Sequence, residues 1–421
     1  MASNGYQPLA GMSDILPPEI RRWQQIEQVG RRILEAYGFD EIRTPILEST
    51  GLFERAIGDS TDVIEKEMYR FTDRGGRDIS LRPEGTASVM RAVIAGGSDL
   101  ADARLYYFGP MFRAERPQAG RKRQFHQLGA EAIGEPNPAA DVECIALQRH
   151  ILSAWGLEGF RVELNTRGEP DDGPAVAEGM RNALRPLLGE LCDDCRTRYD
   201  KNVLRVLDCK NPGCKDVLAS LPPVTAFMGE AARSYLDEVC DLLKLLDIEV
   251  TLNPRLVRGL DYYAHTVWEI VHDALGAQDA LCGGGRYRFE LGRRSVEGVG
   301  FAMGLERVLM VLASSSTPAA APPRRVQVYI ATQDPAAFRE NLILAQALRV
   351  RGVNCSIEMR PRTLKKQMRA ANLAGAEWVV IRGEQELEEG TFLLKNMAEG
   401  GQEALEMPAL MERLLNAFSI R

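Results

Sequence analysis

The 421-residue chain has no run of about 18 apolar residues, so no membrane span is expected. Its first twenty residues, MASNGYQPLAGMSDILPPEI, have neither a basic start nor an apolar stretch. No secretory signal is expected there, and the cytoplasm is the expected compartment. Nucleotide-binding motifs are missing too. No G-x-x-x-x-G-K-[ST] occurs, so a nucleotide would not be held by a P-loop. GVGFAMG at 298–304 misses the G-x-G-x-x-G spacing of the dinucleotide fingerprint. Histidines are scarce, at 126, 150, 265 and 272 only, and do not cluster as ligands; His126 reads as a packed residue. No internal repeat is found. The formal net charge of −7 excludes a basic coat over the whole surface, though not local basic patches.

What is there suggests two to four domains by the usual length rule. Pro17-Pro18-Glu19 suits a helix start, and Ile20, Trp23, Ile26, Val29, Ile33 and Tyr37 then mark one helical face. A strand is expected over 39–48. A hairpin is expected over 67–72 and 78–82, and two longer strands over 104–113 and 124–133. Antiparallel strands among helices point to an α+β sheet. GEPDDGP at 168–174 breaks the pattern, and a mostly helical stretch follows to about residue 240. Strands return near 248–252 and 266–271. ASSSTPAAAPP at 313–323 reads as a linker. Strands and helices alternate from 326 to 381, as in a compact α/β domain.

Polar constellations carry the chemistry. In LVRGLDYY, 256–263, Arg258 stands in an apolar setting beside Asp261, Tyr262 and Tyr263. A charge entering a buried strand is costly unless paired, and an anionic substrate or Asp261 would serve. The loop RAERPQAGRKR, 113–123, sets Arg113, Arg116, Arg121, Lys122 and Arg123 against Glu115 alone. It suits phosphate, or it is a solvated basic turn. Gln127, Gly129 and Glu131 fall two apart and share one strand face, which suits a small amino-bearing ligand. In LRPEGT, 81–86, Pro83 and Gly85 make a bend that turns Arg82, Glu84 and Thr86 toward a pocket mouth. CGGGRY, 282–287, places three glycines before Arg286, which allows a ligand close to the backbone. GVGFAMGLER, 298–307, reads as glycines entering a helix that carries Glu306 and Arg307. Cys192, Cys195, Cys209 and Cys214 spell C-x2-C and C-x4-C, spacings related to zinc ribbons and knuckles. In a reducing compartment they read as a structural zinc site or as unligated thiols. In RPRTLKKQMR, 360–369, Lys365, Lys366 and Arg369 lie near one helix face, for phosphate contact or for solvent.

These motifs also occur in a telling order. GMSDILP ahead of the first helix is followed by LRPEGT, FRAERPQ with QFHQLGAE, LVRGLDYY, GGGRY and GFAMGLER. Together they resemble the histidine–tRNA ligases, class II aminoacyl-tRNA synthetases, over almost the full chain. The resemblance implies a catalytic domain over 1–325 built on a six-stranded antiparallel sheet. It further implies a helical insertion at about 170–240, an anticodon-binding domain over 326–421, and a homodimer formed through the first helix and the strand after it. The implied reaction joins ATP and L-histidine into histidyl-adenylate, then passes histidine to the 3′ end of tRNA(His). By resemblance Glu84, Thr86 and Gln127 hold the amino group of histidine, and Gly85 between the first two is histidine-binding too. Glu131 and Tyr263 hold the imidazole, and Tyr262 lines the pocket. Arg113 binds the α-phosphate of ATP, Arg307 the γ-phosphate, and Arg121 lies near the ATP tail. Arg258, catalytic with Arg113, sits between the histidine carboxylate and the α-phosphate, where a fixed cation offsets charge built up during attack. Mg2+ is implied on the β- and γ-phosphates.

Three departures stand out. Arg288-Phe289 follows Arg286-Tyr287 where the family usually has Asp-Gly, the loop over 288–297 reads as shortened, and His265 replaces a residue usually basic. The cysteines occur in only part of the family, so zinc is read from spacing alone. Two alternatives compete. A regulatory paralogue of the ATP phosphoribosyltransferase complex usually lacks the anticodon domain, so 326–421 and an intact Arg258 speak against it. A nucleic-acid-binding module without chemistry leaves Glu84, Gln127 and Glu131 unexplained.

Overall fold

A computed structural model describes residues 6–58, 61, 63–209, 211–257, 262–278, 280–291, 294–314 and 326–418. Arg258, Asp261 and most of the expected linker lie outside the described residues. The chain forms two compact units, 1–319 and 320–421. In chain order the strands of the first are β1 (Asp40–Glu41), β2 (Leu47–Ser49), β3 (Arg70–Thr72), β4 (Asp78–Leu81), β5 (Arg104–Phe112), β6 (Gln124–Ile133), β7 (Arg161–Thr166), β8 (Val250–Leu252), β9 (Tyr263–Val271), β10 (Ala280–Leu291) and β11 (Arg294–Gly304).

Eight of these make one sheet in the order β1-β5-β6-β11-β10-β9-β7-β8. The six from β5 to β7 pair antiparallel, and β1 and β8 add a parallel strand at each edge. The strand expected over 39–48 is interrupted between β1 and β2. Pro45 has no N–H for a ladder, and Arg82 Nη1 takes the Thr44 carbonyl at 3.1 Å. β2, β4 and β3 form a small antiparallel side sheet.

Alternation along the strands divides two cores. Leu128, Ala130 and Ala132 of β6 face a core with Trp23, Ile33 and Leu34 of helix Glu19–Ala36 and residues of helices Pro138–Ala154 and Glu230–Leu245. Gly30 lets the first helix close on this sheet face, because a Cβ there would lie 2.9 Å from Leu128 Cδ1. Leu105, Tyr107 and Ile133 face the opposite core, with Phe53 and Ile57 of helix Thr50–Ile57 and Val89 and Met90 of helix Thr86–Gly96. Gly129 and Glu131 belong to that second face by the two-residue period.

The insertion leaves after β7 and returns before helix Glu230–Leu245, where Gly229 N donates to Asp172 Oδ1 at 2.9 Å. Its helices Gly173–Leu184, Asp193–Lys201 and Pro212–Ala219 enclose their own core around Met180, Cys195, Val206 and Leu218.

The second unit has a sheet ordered β13-β12-β14-β15-β16, from β12 (Val328–Thr332), β13 (Cys355–Ile357), β14 (Trp378–Arg382), β15 (Phe392–Asn396) and β16 (Gln402–Leu405). The first three pair parallel and the last two antiparallel. Among the described residues no helix is long and apolar enough to cross a membrane.

Candidate active site

The bend after β4 delivers Glu84 to the start of helix Thr86–Gly96. Glu84 Oε2 accepts from Thr86 N at 2.7 Å and Oε1 from Ala87 N at 2.9 Å, so the carboxylate caps the helix. Burial raises its pKa, and these backbone bonds oppose the rise. The Thr86 hydroxyl donates to Glu131 Oε1 at 2.7 Å, and the Tyr287 hydroxyl to Glu131 Oε2 at 2.8 Å. Glu131 is 1% exposed, and burial pushes its carboxyl up to about 8 against those two bonds.

Small residues make room for this cluster. A Cβ on Gly85 or Gly129 would overlap the Tyr107 ring, and one on Gly300 would overlap the Glu131 carboxylate. Tyr262 is buried with its ring 4.8 Å from that of Tyr263 and 5.8 Å from that of Tyr287. The Tyr107 hydroxyl and Gln127 Oε1 are buried without hydrogen-bond partners among the described residues. Such atoms mark where a ligand's polar groups would fit.

Gln127 also borders a cavity of about 350 Å3 lined by Arg113, Arg121, Lys122 and Arg307, with the acids Glu115, Glu269 and Glu306. Arg113 is anchored by Nε to the Pro83 carbonyl at 2.9 Å, its guanidinium 5.3 Å from the Phe125 ring centre. Arg121 pairs with Glu115 at 3.1 Å. Arg307 Nε donates to the Gly120 carbonyl at 3.2 Å, and its Nη1 to that of Ala280. Burial lowers the Arg307 pKa, and the positive charge of Arg121 lowers it further. An anion in the cavity relieves both effects. Glu306 ties the site to β6, accepting from His126 N at 2.9 Å and facing His126 Nδ1 at 3.0 Å.

Several expectations need correction. Arg82 turns away from the pocket mouth, donating to Thr44 Oγ1 at 3.0 Å and the Pro110 carbonyl at 3.0 Å, so it braces the bend. Arg286 lies on the face of β10 opposite Tyr287. Its Nε donates to Asp141 Oδ2 at 3.1 Å, and Asp141 also accepts from the Tyr235 hydroxyl at 2.9 Å. Of the three glycines before it, only Gly283 borders the cavity; Gly284 packs under Trp268 and Gly285 under Tyr263. The glycines of GVGFAMG lie on β11, and Arg307 belongs to the first turn of helix Leu305–Ser314. Residues 288–291 and 294–297 continue β10 and β11, so most of the expected loop is strand. Arg116 is exposed, while Arg123 Nε donates to the Glu115 carbonyl. His265 has left-handed backbone, φ 51, with Nε2 3.4 Å from Glu169 Oε2.

Tyr107, Tyr287 and Glu269 were not singled out by sequence. Tyr287 follows the glycine run and could have been found by its two-residue offset from Gly285 across the pleat. Tyr107 and Glu269 sit in apolar strand segments that give no such signal.

Elsewhere the four sulfurs of Cys192, Cys195, Cys209 and Cys214 all lie within 4.8 Å of one another. The Cys195 backbone N–H lowers the Cys192 thiol to about 7, while burial raises Cys195 and Cys214.

Residues 11–168 and 188–308 match the family described as Histidyl-tRNA synthetase, and residues 327–417 the one described as Anticodon binding domain. Over 409 residues the chain is 43% identical to the Histidine--tRNA ligase of Halothermothrix orenii, covering 96% of this chain and 97% of that relative. Identity is 44% over 411 residues with the Histidine--tRNA ligase of Synechococcus elongatus, covering 96% and 94%. The fold matches apo S. aureus histidyl-tRNA synthetase at TM-score 0.81 and 35% identity, covering 97% of this chain and 99% of that one. A Bacillus halodurans structure described as an ATP phosphoribosyltransferase regulatory subunit/histidyl-tRNA synthetase is similar in fold, at TM-score 0.63 and 22% identity, covering 90% and 98%.

Proposed function

The chain belongs to the histidyl-tRNA synthetase family, and from that premise we propose how its residues divide the work. The activity is ATP-dependent joining of histidine to tRNA, through histidyl-adenylate and then transfer to the tRNA 3′ end. Glu84, Thr86 and Gln127 take the amino group of histidine. Glu131 and Tyr263 take the imidazole, and Tyr262 and Tyr287 wall it in. A site built on hydrogen bonds to an imidazole rejects apolar analogues, because they leave buried polar groups unpaired. Arg113 takes the α-phosphate, Arg307 the γ-phosphate, and Arg121 the ATP tail. Arg258 lies between the histidine carboxylate and the α-phosphate in this reading.

Glu115 and Glu269 would hold the Mg2+ that accompanies ATP, and the ion's charge would offset that of the phosphates. Glu115 and Glu269 supply oxygen donors of the hard kind it prefers, so the cavity's chemistry fits the ion. A metal on the four thiols lies outside both chemical steps. The second unit takes the anticodon part of tRNA(His), in the cytoplasm. A homodimer would use the first helix and the β1–β2 segment. Leu47 of β2 and Phe71 of β3 are exposed beside an open concavity of about 1110 Å3, and Ile46 is exposed next to them. Sedimentation should therefore report twice the chain mass, and a monomer at micromolar concentration would reject the dimer.

The observation that carries the reading is the junction at Gln127. Gln127 borders the cation-lined cavity and shares its strand face with the buried Glu131, as amino-acid activation by ATP requires. Histidine-dependent ATP–pyrophosphate exchange tests it. Exchange is expected with histidine and not without it. Histidine binding with no exchange would favour the regulatory alternative.

A further inference from the structure

We propose that Cys192, Cys195, Cys209 and Cys214 bind one zinc ion that acts as the fold-holding staple of the insertion. Zinc with four thiolates is tetrahedral, with Zn–S near 2.3 Å, so neighbouring sulfurs sit roughly 3.8 Å apart. The Cys192 and Cys209 sulfurs are 3.8 Å apart, and all four lie within 4.8 Å of one another. A disulfide needs about 2.05 Å, so that pair is not a bridge.

The backbone around the cluster is arranged for thiolates. Cys192 immediately precedes helix Asp193–Lys201, and Cys195 lies in its first turn. Cys214 lies in the first turn of helix Pro212–Ala219, and Cys209 closes the segment before it. Helix N-termini favour anionic sulfur. Cys192 N, moreover, donates to Cys214 Sγ at 3.2 Å, which couples the two halves.

The donor set is closed. Four thiolates fill a tetrahedron and leave no position for water or substrate, so the ion is structural and not catalytic. Cys195, Cys209 and Cys214 are buried in the insertion's core. The insertion's own α-helices have only 12, 9 and 8 residues, and its core borrows Ala232 and Val257 from the body. A unit below about 70 residues commonly needs such a staple to reach useful stability. Binding forms four Zn–S bonds and releases the thiol protons to solvent.

The test uses the full chain expressed in zinc-replete medium. Metal analysis is expected to find one zinc per chain, lost in Cys209→Ser/Cys214→Ser. Cobalt(II) substitution is expected to give the absorption bands of tetrahedral tetrathiolate cobalt. Limited proteolysis of the double variant is expected to cut within 173–228 at least tenfold faster. Should the variant fail to fold, a thiol reagent added to the wild-type protein reads the same site, releasing one zinc as four thiols react. Less than a tenth of an equivalent of zinc, iron in its place, or zinc retained by the folded double variant would each overturn the proposal.

Discussion

Glu131→Gln is expected to raise the KM for histidine in ATP–pyrophosphate exchange by about 10–100-fold while changing the KM for ATP little. The range follows from roughly 1–3 kcal/mol for leaving a buried polar group without its partner. Glutamine keeps the size and one acceptor oxygen, so it can keep the hydroxyl bond from Thr86 or from Tyr287 but not both. A melting temperature near wild type would show that the loss reports recognition and not collapse. Equal KM for histidine in variant and wild type would remove Glu131 from recognition.

The same variant carries a pH signature. Burial lifts the folded carboxyl above its ordinary 4.5, to about 8. Between those values the native chain keeps a proton that the unfolded chain has released. The stability contribution is therefore complete below about 4.5, shrinks as pH rises, and is gone above about 8. Glutamine has no such proton. Denaturant titrations should show wild type losing stability relative to Glu131→Gln across that window. A constant difference would contradict the raised pKa.

Arg113→Ala and Arg258→Ala are each expected to lower kcat/KM for exchange by about 10²–10³, the range for removing one pre-placed transition-state donor. For Arg113 the geometry supports a pre-placed donor. Its Nε is committed to the Pro83 carbonyl and its guanidinium is held beside Phe125, so little reorganisation is left for the reaction. Lysine at 113 should recover only a small part, since it lacks the planar fork that meets phosphate with two bonds. Melting temperatures near wild type would show that the fold survives. Rates within threefold of wild type would take either residue out of the mechanism.

How much of this was legible in the sequence depends on the range of each signal. The first helix reads correctly because its face repeats every three or four residues, and Trp23, Ile26 and Ile33 are buried. β6 reads correctly because the two-residue period sets Gln127, Gly129 and Glu131 on one face. Direction across the pleat was harder. Arg82 was expected at the pocket mouth but turns the other way, toward carbonyls, and Arg286, next to the glycine run, turns to Asp141, 145 residues away. Glu131 meets Thr86 across 45 residues and Tyr287 across 156, and no local pattern encodes such meetings. β15 and β16 went unread because the alternation expected of a parallel sheet stops at β14.

The bond between Asp172 and Gly229 has a consequence for the chain as a thing that can be taken apart. β7 and β8 are parallel neighbours, so the chain must cross over between them, and helix Glu230–Leu245 makes that crossing while packing on the sheet. At Gly229 the returning backbone N–H donates to the Asp172 carboxylate at 2.9 Å, close to where the chain departed. Everything between is a detour that the sheet's wiring does not use. It is a cassette whose two leads already meet, and it can be cut out or exchanged by joining neighbours, without rerouting a single strand.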